Sequence, residues 1–197
     1  IDFEKELGLL RFIRQNFDAK TIEIRVDANG AFNSNEALSK LNQLNEFELH
    51  SIEQPLRANQ IQEMKLLCQQ TPFPIALDEE LIGVFETEEK RKLLEEIQPQ
   101  YIILKPSLVG GFKGTLEWIS IAESLNIGWW ITSALESNIG LNAITQFTFT
   151  LNNPMPQGLG TGGLYTNNFD CPLQIENGHI QYNVDKQWGI SNLGLQL

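Results

Sequence analysis

Cysteine is scarce: two residues, Cys68 and Cys171, far apart in a chain of 197. Two thiols at that separation match no metal or redox spacing and imply no disulfide framework, so a reducing, cytoplasmic setting is the expectation. Basic residues are also few, 14 against 25 acidic, for a formal net charge of −11. Such a surface repels phosphate backbones and anionic bilayers, which sets nucleic acid and membrane aside as partners. No apolar run approaches the length of a membrane span, and no targeting segment is evident. The 15 glycines and 8 prolines are ordinary numbers and exclude collagen-like and low-complexity chains. What is there is a composition 42% hydrophobic and 20% charged. It suffices for one sizeable core and is short for two.

Helical and strand-like segments alternate. Phe3, Leu7, Leu10 and Ile13 share one face of a helix over 3–16. A β-branched run over 21–26 ends in Asp27. Asn33, with Glu36 three residues on, predicts an N-cap, and Leu38, Leu41 and Leu44 follow at helical spacing. Residues 49–53 read as a strand, 61–68 as a helix and 74–77 as a strand. Thr87 reads as the cap of a helix carrying Leu93, Leu94 and Ile97. Then come a strand over 101–104, a helix marked by Leu116, Ile119, Ala122 and Leu125, a strand over 128–132 and a helix over 137–151. A glycine-rich stretch over 158–163 precedes an irregular tail.

This alternation predicts βα units and a parallel sheet. Four strand ends carry a polar residue, Asp27, Glu53, Asp78 and Lys105, at intervals of 26, 25 and 27 residues. In a parallel α/β barrel that position is the C-terminal rim, where the chemistry sits. A doubly wound sheet has the same beat, but its strand order scrambles neighbours and does not converge four successive strand ends. A TIM-like barrel, one domain over 1–197, is the expected fold. Three carboxylates on adjacent strand ends repel one another. A hard divalent cation removes that penalty, and all-oxygen ligation suits Mg²⁺, with Mn²⁺ as the alternate. A lysine in the same mouth suits an enediolate, formed when a proton leaves the carbon next to a substrate carboxylate. One acidic residue at a strand end is ordinarily a helix cap or a loop residue. Three at the barrel beat, followed by lysine, point to a site.

The stretches 25–30 (Arg-Val-Asp-Ala-Asn-Gly), 51–56 (Ser-Ile-Glu-Gln-Pro-Leu), 77–81 (Leu-Asp-Glu-Glu-Leu) and 104–106 (Leu-Lys-Pro) resemble the enolase superfamily, in its muconate-lactonizing-enzyme-like branch. Within that branch, 103–111, 132–137 and 158–162 are similar to the o-succinylbenzoate synthase family. The resemblance covers nearly the whole chain. It implies a (β/α)7β barrel with a separate capping domain. It implies Mg²⁺ held by Asp27, Glu53 and Asp78, with Glu79 behind the ligands and Lys105 stabilising the enediolate. The implied reaction is dehydration of 2-succinyl-6-hydroxy-2,4-cyclohexadiene-1-carboxylate to o-succinylbenzoate, in menaquinone synthesis. Racemases of N-acylated amino acids share the rim and supply the competing enzyme reading. The family also carries a Lys-x-Lys pair on its second barrel strand, which Lys5 and Lys20 do not match. The expectation is therefore a C-terminal barrel portion whose first strands and capping domain are missing. Alone it would be inactive, with open edges that self-association would cover. A non-catalytic fragment binding metal or a partner is the third reading.

Other residues divide between site and scaffold. Arg25 precedes Asp27 by two and shares its face. In the family this Arg-x-Asp faces the substrate; otherwise it is a barrel arginine paired with carboxylates. Ser133 either binds a substrate carboxylate or caps a helix. Asn29 supports the metal ligands or shapes a turn with Gly30. Gly158, Gly160 and Gly163 have a dinucleotide-like spacing, but no helical pattern follows. Gly160 and Gly162 instead let backbone N–H groups approach a substrate carboxylate. His50 and His179 end no strand at the rim and read as structural, and Trp129 and Trp130 as core.

Overall fold

The computed structural model describes residues 2–189. Helix α1 (Phe3–Asn16) buries Leu7 and Leu10. Strand β1 (Arg25–Asp27) follows, then α2 (Ser34–Leu44), whose first turn closes with the expected Asn33/Glu36 capping box. Next come β2 (Ser51–Glu53), α3 (Ile61–Gln70), β3 (Ile75–Leu77), α4 (Thr87–Ile97) and β4 (Tyr101–Leu104). Helix α5 (Gly111–Ser124), β5 (Gly128–Ile131) and α6 (Asn138–Thr150) continue the alternation. Among the described residues no helix is long and apolar enough to cross a membrane.

The strands form one sheet in the order β1-β2-β3-β4-β5. The first three pairings are parallel, with Asp27 opposite Glu53, Glu53 opposite Ala76 and Ala76 opposite Tyr101. Strands added one after another are the barrel progression; a doubly wound sheet would reverse its order at a switch point. Strands β3 and β4 carry continuous apolar runs, with Ile75, Ala76, Leu77, Ile102, Ile103 and Leu104 fully buried. Parallel strands covered on both faces carry such continuous runs.

The chain divides into two compact units. The first runs through Ile103 and includes Glu117–Trp129; the second comprises Leu104–Leu116 and the chain from Trp130 onward. In the first, Lys90 of α4 is buried, ion-paired at 2.7 Å to Glu117 of α5, with its ammonium 5.6 Å from the Trp118 ring. Arg14 fastens α1 to its surroundings. Its guanidinium donates to the carbonyls of Phe47 (2.7 Å), Ile22 (2.8 Å) and Glu48 (3.1 Å). Hydrogen bonds from a charged donor stabilise more than neutral ones, and removal strands the acceptors. Arg14→Ala is expected to lower unfolding free energy by about 2 kcal/mol in urea titration; an unchanged midpoint and slope would show the clamp to be idle.

Three features differ from the sequence reading. The first two strands are shorter, beginning at Arg25 and Ser51. Thr87 is the first residue of α4; the cap position is Glu86, without a side-chain bond. The expected irregular tail contains an antiparallel hairpin, β6 (Leu173–Glu176) and β7 (His179–Tyr182), in the second unit. It turns at Asn177-Gly178, both at positive φ (50° and 74°). This Asn-Gly pair between alternating apolar residues was a legible hairpin signal.

Candidate active site

In the first unit, three successive strands end in the predicted carboxylates. Asp27 and Glu53 close β1 and β2 and are direct cross-strand partners. Asp78 follows β3 immediately, two residues beyond Ala76, the partner of Glu53. Period-two alternation gives all three the same face. Asp27 is exposed, Glu53 half-buried and Asp78 only 2% exposed.

The loops behind these ends are tightly built. Asn29 donates its backbone N–H to Asp27 Oδ1 (2.7 Å) and its side-chain amide to Oδ2 (2.9 Å). Asn29 thus both holds a candidate ligand and shapes the turn, with φ of 49° here and 68° at Gly30. A Cβ at Gly30 would stand 3.0 Å from the Arg57 backbone, so the β1 loop lies directly on the β2 loop. Glu79 opens a single helical turn after Asp78. Arg25 is engaged by Glu23, with Nε donating at 3.0 Å.

Two polar residues in this region escaped the sequence reading. Gln54 is fully buried, and its side chain contacts the Asp78 and Glu80 backbone N–H groups. Glu80 is 5% exposed and accepts from Asn59 N–H at 2.8 Å. Burial pushes the Glu80 carboxyl above the usual range, against the opposing pull of hydrogen bonds from Asn59 and Gln54. Both lie inside motifs quoted above, but nothing in their spacing marks them as buried. His50 contacts Ser51 Oγ through Nδ1 (2.9 Å) and packs on Tyr101, and burial holds its imidazole below the usual pKa. These contacts match the structural role expected of it.

The second unit carries the other candidates. Lys105 follows β4 directly and is half-buried. Ser107, two residues on, donates to Glu136 (2.7 Å), joining the loops after β4 and β5. Ser133 is buried; its N–H donates to Gly158 O and its hydroxyl lies 2.5 Å from that of Thr161. A Cβ at Gly158 would meet Thr132 at 2.5 Å, so only glycine fits there. Gly160 and Gly162 lie in a single helical turn, Gly160–Gly163, so the loop holds Ser133 from one side. Gly162 also lines a hollow of about 300 Å³ with Leu141, Cys171, Ile175 and Ile180. The Lys-x-Lys spacing does occur once, at Lys90 and Lys92, but on helix α4 and not on a strand.

The donor chemistry of Asp27, Glu53 and Asp78 is all oxygen and anionic, which fits a hard divalent cation. Among the described residues no three His, Cys, Asp or Glu side chains are gathered as a ready cage. The Asp27 carboxylate, for one, is turned to Asn29.

The sequence profile of the enolase C-terminal domain-like family matches residues 2–191. The chain belongs to this family. An o-succinylbenzoate synthase of Desulfotalea psychrophila is 55% identical over 178 residues, 90% of this chain and 48% of that protein. An N-succinylamino acid racemase of Thermus thermophilus is 33% identical over 132 residues, 67% of this chain and 34% of that protein. The crystal structure of MenC from Desulfotalea psychrophila superposes with a TM-score of 0.88 at 54% identity, covering 91% of this chain and 50% of that one. The chain spans about half the length, or less, of the curated relatives it matches. Its solved neighbours are barrel enzymes of the muconate-lactonizing type. The barrel expectation is thereby met for this family member.

Proposed function

We propose that this chain is part of an o-succinylbenzoate synthase, a lyase that removes water from 2-succinyl-6-hydroxy-2,4-cyclohexadiene-1-carboxylate in menaquinone synthesis. The observation that carries the proposal is the 55% identity to the Desulfotalea psychrophila enzyme across 90% of the chain. The succession of Asp27, Glu53 and Asp78 on neighbouring strand ends supports it. In this reading the three carboxylates hold Mg²⁺, or Mn²⁺ in its place. When bound, the ion stabilises negative charge growing on the substrate carboxylate. Lys105 contributes an ammonium that stabilises the enediolate left when the neighbouring carbon loses its proton. Asn29 orients Asp27. Ser133 and the N–H groups of Gly160 and Gly162 receive a substrate carboxylate, and Arg25 adds positive charge near Asp27. Turnover is a property of the protein that carries this chain, and we propose that residues 1–197 alone do not turn over. A cytoplasmic setting belongs to the same proposal and is supported by the two unbonded cysteines.

The test is an absorbance assay of that protein with the diene acid. Loss of the diene signal with Mg²⁺, abolished by chelator, is the expected outcome; no turnover by folded protein that binds Mg²⁺ would discard the reaction. The 33% identity to an N-succinylamino acid racemase supports a second reading, proton exchange on N-acylated amino acids. Exchange of the α-proton in ²H₂O, followed by NMR, distinguishes it from dehydration.

A further inference from the structure

We infer that Gln54 is a positioning residue for the metal ligands, acting on Asp78 in particular, and that Glu80 fixes Gln54 in that role. This rests on reading Asp27, Glu53 and Asp78 as the ligand set. Gln54 is fully buried, with a relative exposure of 0%. A glutamine so buried costs stability unless its amide is satisfied. It is satisfied on both sides. The side-chain carbonyl accepts from Asp78 N–H (3.0 Å) and Glu80 N–H (3.4 Å). The amide donates to Leu56 O (2.9 Å) and to Glu80 Oε2 (3.2 Å), while Asn59 N–H holds the other Glu80 oxygen.

The backbone of Gln54 completes the tie. Its N–H donates to Ala76 O (2.9 Å), and its carbonyl accepts from Gly30 N–H (2.7 Å). The residue reaches both neighbours from a left-handed conformation, φ 34°. One residue therefore joins the ends of β1, β2 and β3, the three strands that carry Asp27, Glu53 and Asp78. Filling space alone would be done as well by methionine, without desolvating an amide. What the amide adds is a fixed direction for the main chain at Asp78. Mg²⁺ demands near-ideal octahedral geometry, so a ligand whose backbone drifts binds it less well. Groups that orient metal ligands typically contribute about 10- to 100-fold in metal affinity.

The experiment is Mn²⁺ binding, followed by electron paramagnetic resonance on the protein that carries this chain, well below each variant's melting temperature. Gln54→Met keeps the volume and removes the amide. It is expected to weaken Mn²⁺ binding about 10- to 100-fold. The exchange Gln54→Glu with Glu80→Gln keeps an acceptor for Asp78 N–H and a bond between positions 54 and 80, and is expected to recover most of the affinity. A purely structural role would lower the melting temperature and leave the Kd of the folded protein unchanged; that result overturns the inference. If Gln54→Met does not fold, Glu80→Gln alone carries the test, weaker binding supporting the inference and an unchanged Kd overturning it. Absence of Mn²⁺ binding by the unsubstituted protein overturns the ligand reading and this inference together. Unsubstituted binding with unchanged variants overturns this inference alone.

Discussion

Replacing Lys105 with alanine is expected to lower kcat for the diene acid about a thousandfold and to leave Mn²⁺ affinity within about twofold. The size follows from the role. An enediolate carries two negative charges where the substrate carried one, and a fixed ammonium meets the second as it forms. Removing a single group that stabilises such charge costs roughly 100- to 1,000-fold in kcat, and loss of a proton-transfer group up to about 10,000-fold. The interaction is stronger in the transition state than with bound substrate, so kcat falls while KM moves little. Lys105 follows the last residue of β4 and is absent from the proposed ligand set, so the metal should bind as before. Steady-state kinetics beside Mn²⁺ titration separates the two. A near-normal kcat would remove Lys105 from the mechanism; a collapsed metal affinity would make it part of the metal's support.

The second large effect is expected at Asp78. Asp78→Asn preserves shape and keeps the backbone N–H that Gln54 holds, but removes one of three anionic donors. Asp78 is 2% exposed, so solvent cannot replace the lost charge cheaply. Mn²⁺ affinity should fall more than about a hundredfold, beyond what loss of a supporting group does. Activity at limiting Mg²⁺ should fall with it and recover in part at high Mg²⁺. Unaltered metal affinity with lost activity would instead make Asp78 a substrate contact. Glu79, its neighbour, separates the readings further: Glu79→Gln should change Mn²⁺ affinity far less than Asp78→Asn.

Much of the architecture was written in the chain at the level of local preference. The Asn33/Glu36 box is a contact three residues apart, so its two residues suffice to predict it. The helix stripes record which face meets the sheet. The interval between strand-end polar residues records the length of a βα unit, and the sequential strand order agrees with the barrel drawn from it. Strand starts were less legible. Thr21, Ile22 and Ile24 are β-branched and read as strand, yet pairing with β2 begins only at Arg25. Where a ladder begins depends on the partner strand, not on the residue's own propensity. The hairpin over 173–182 was a different kind of miss. Its Asn177-Gly178 turn was visible, but the polar residues around it resemble a loop until the alternation is counted.

Taken alone, the sequence determined the βα beat and the residue types at the strand ends, because periodicity and spacing are local properties of a chain, and its motifs carried the family resemblance. Tertiary structure decided how those residues are held. Ser133 meets Thr161, and buried Gln54 ties three strand ends together. Neither follows from spacing. Glutamine is usually a surface residue, and only the closing of one loop over another takes Gln54 out of water and makes its amide bonds obligatory.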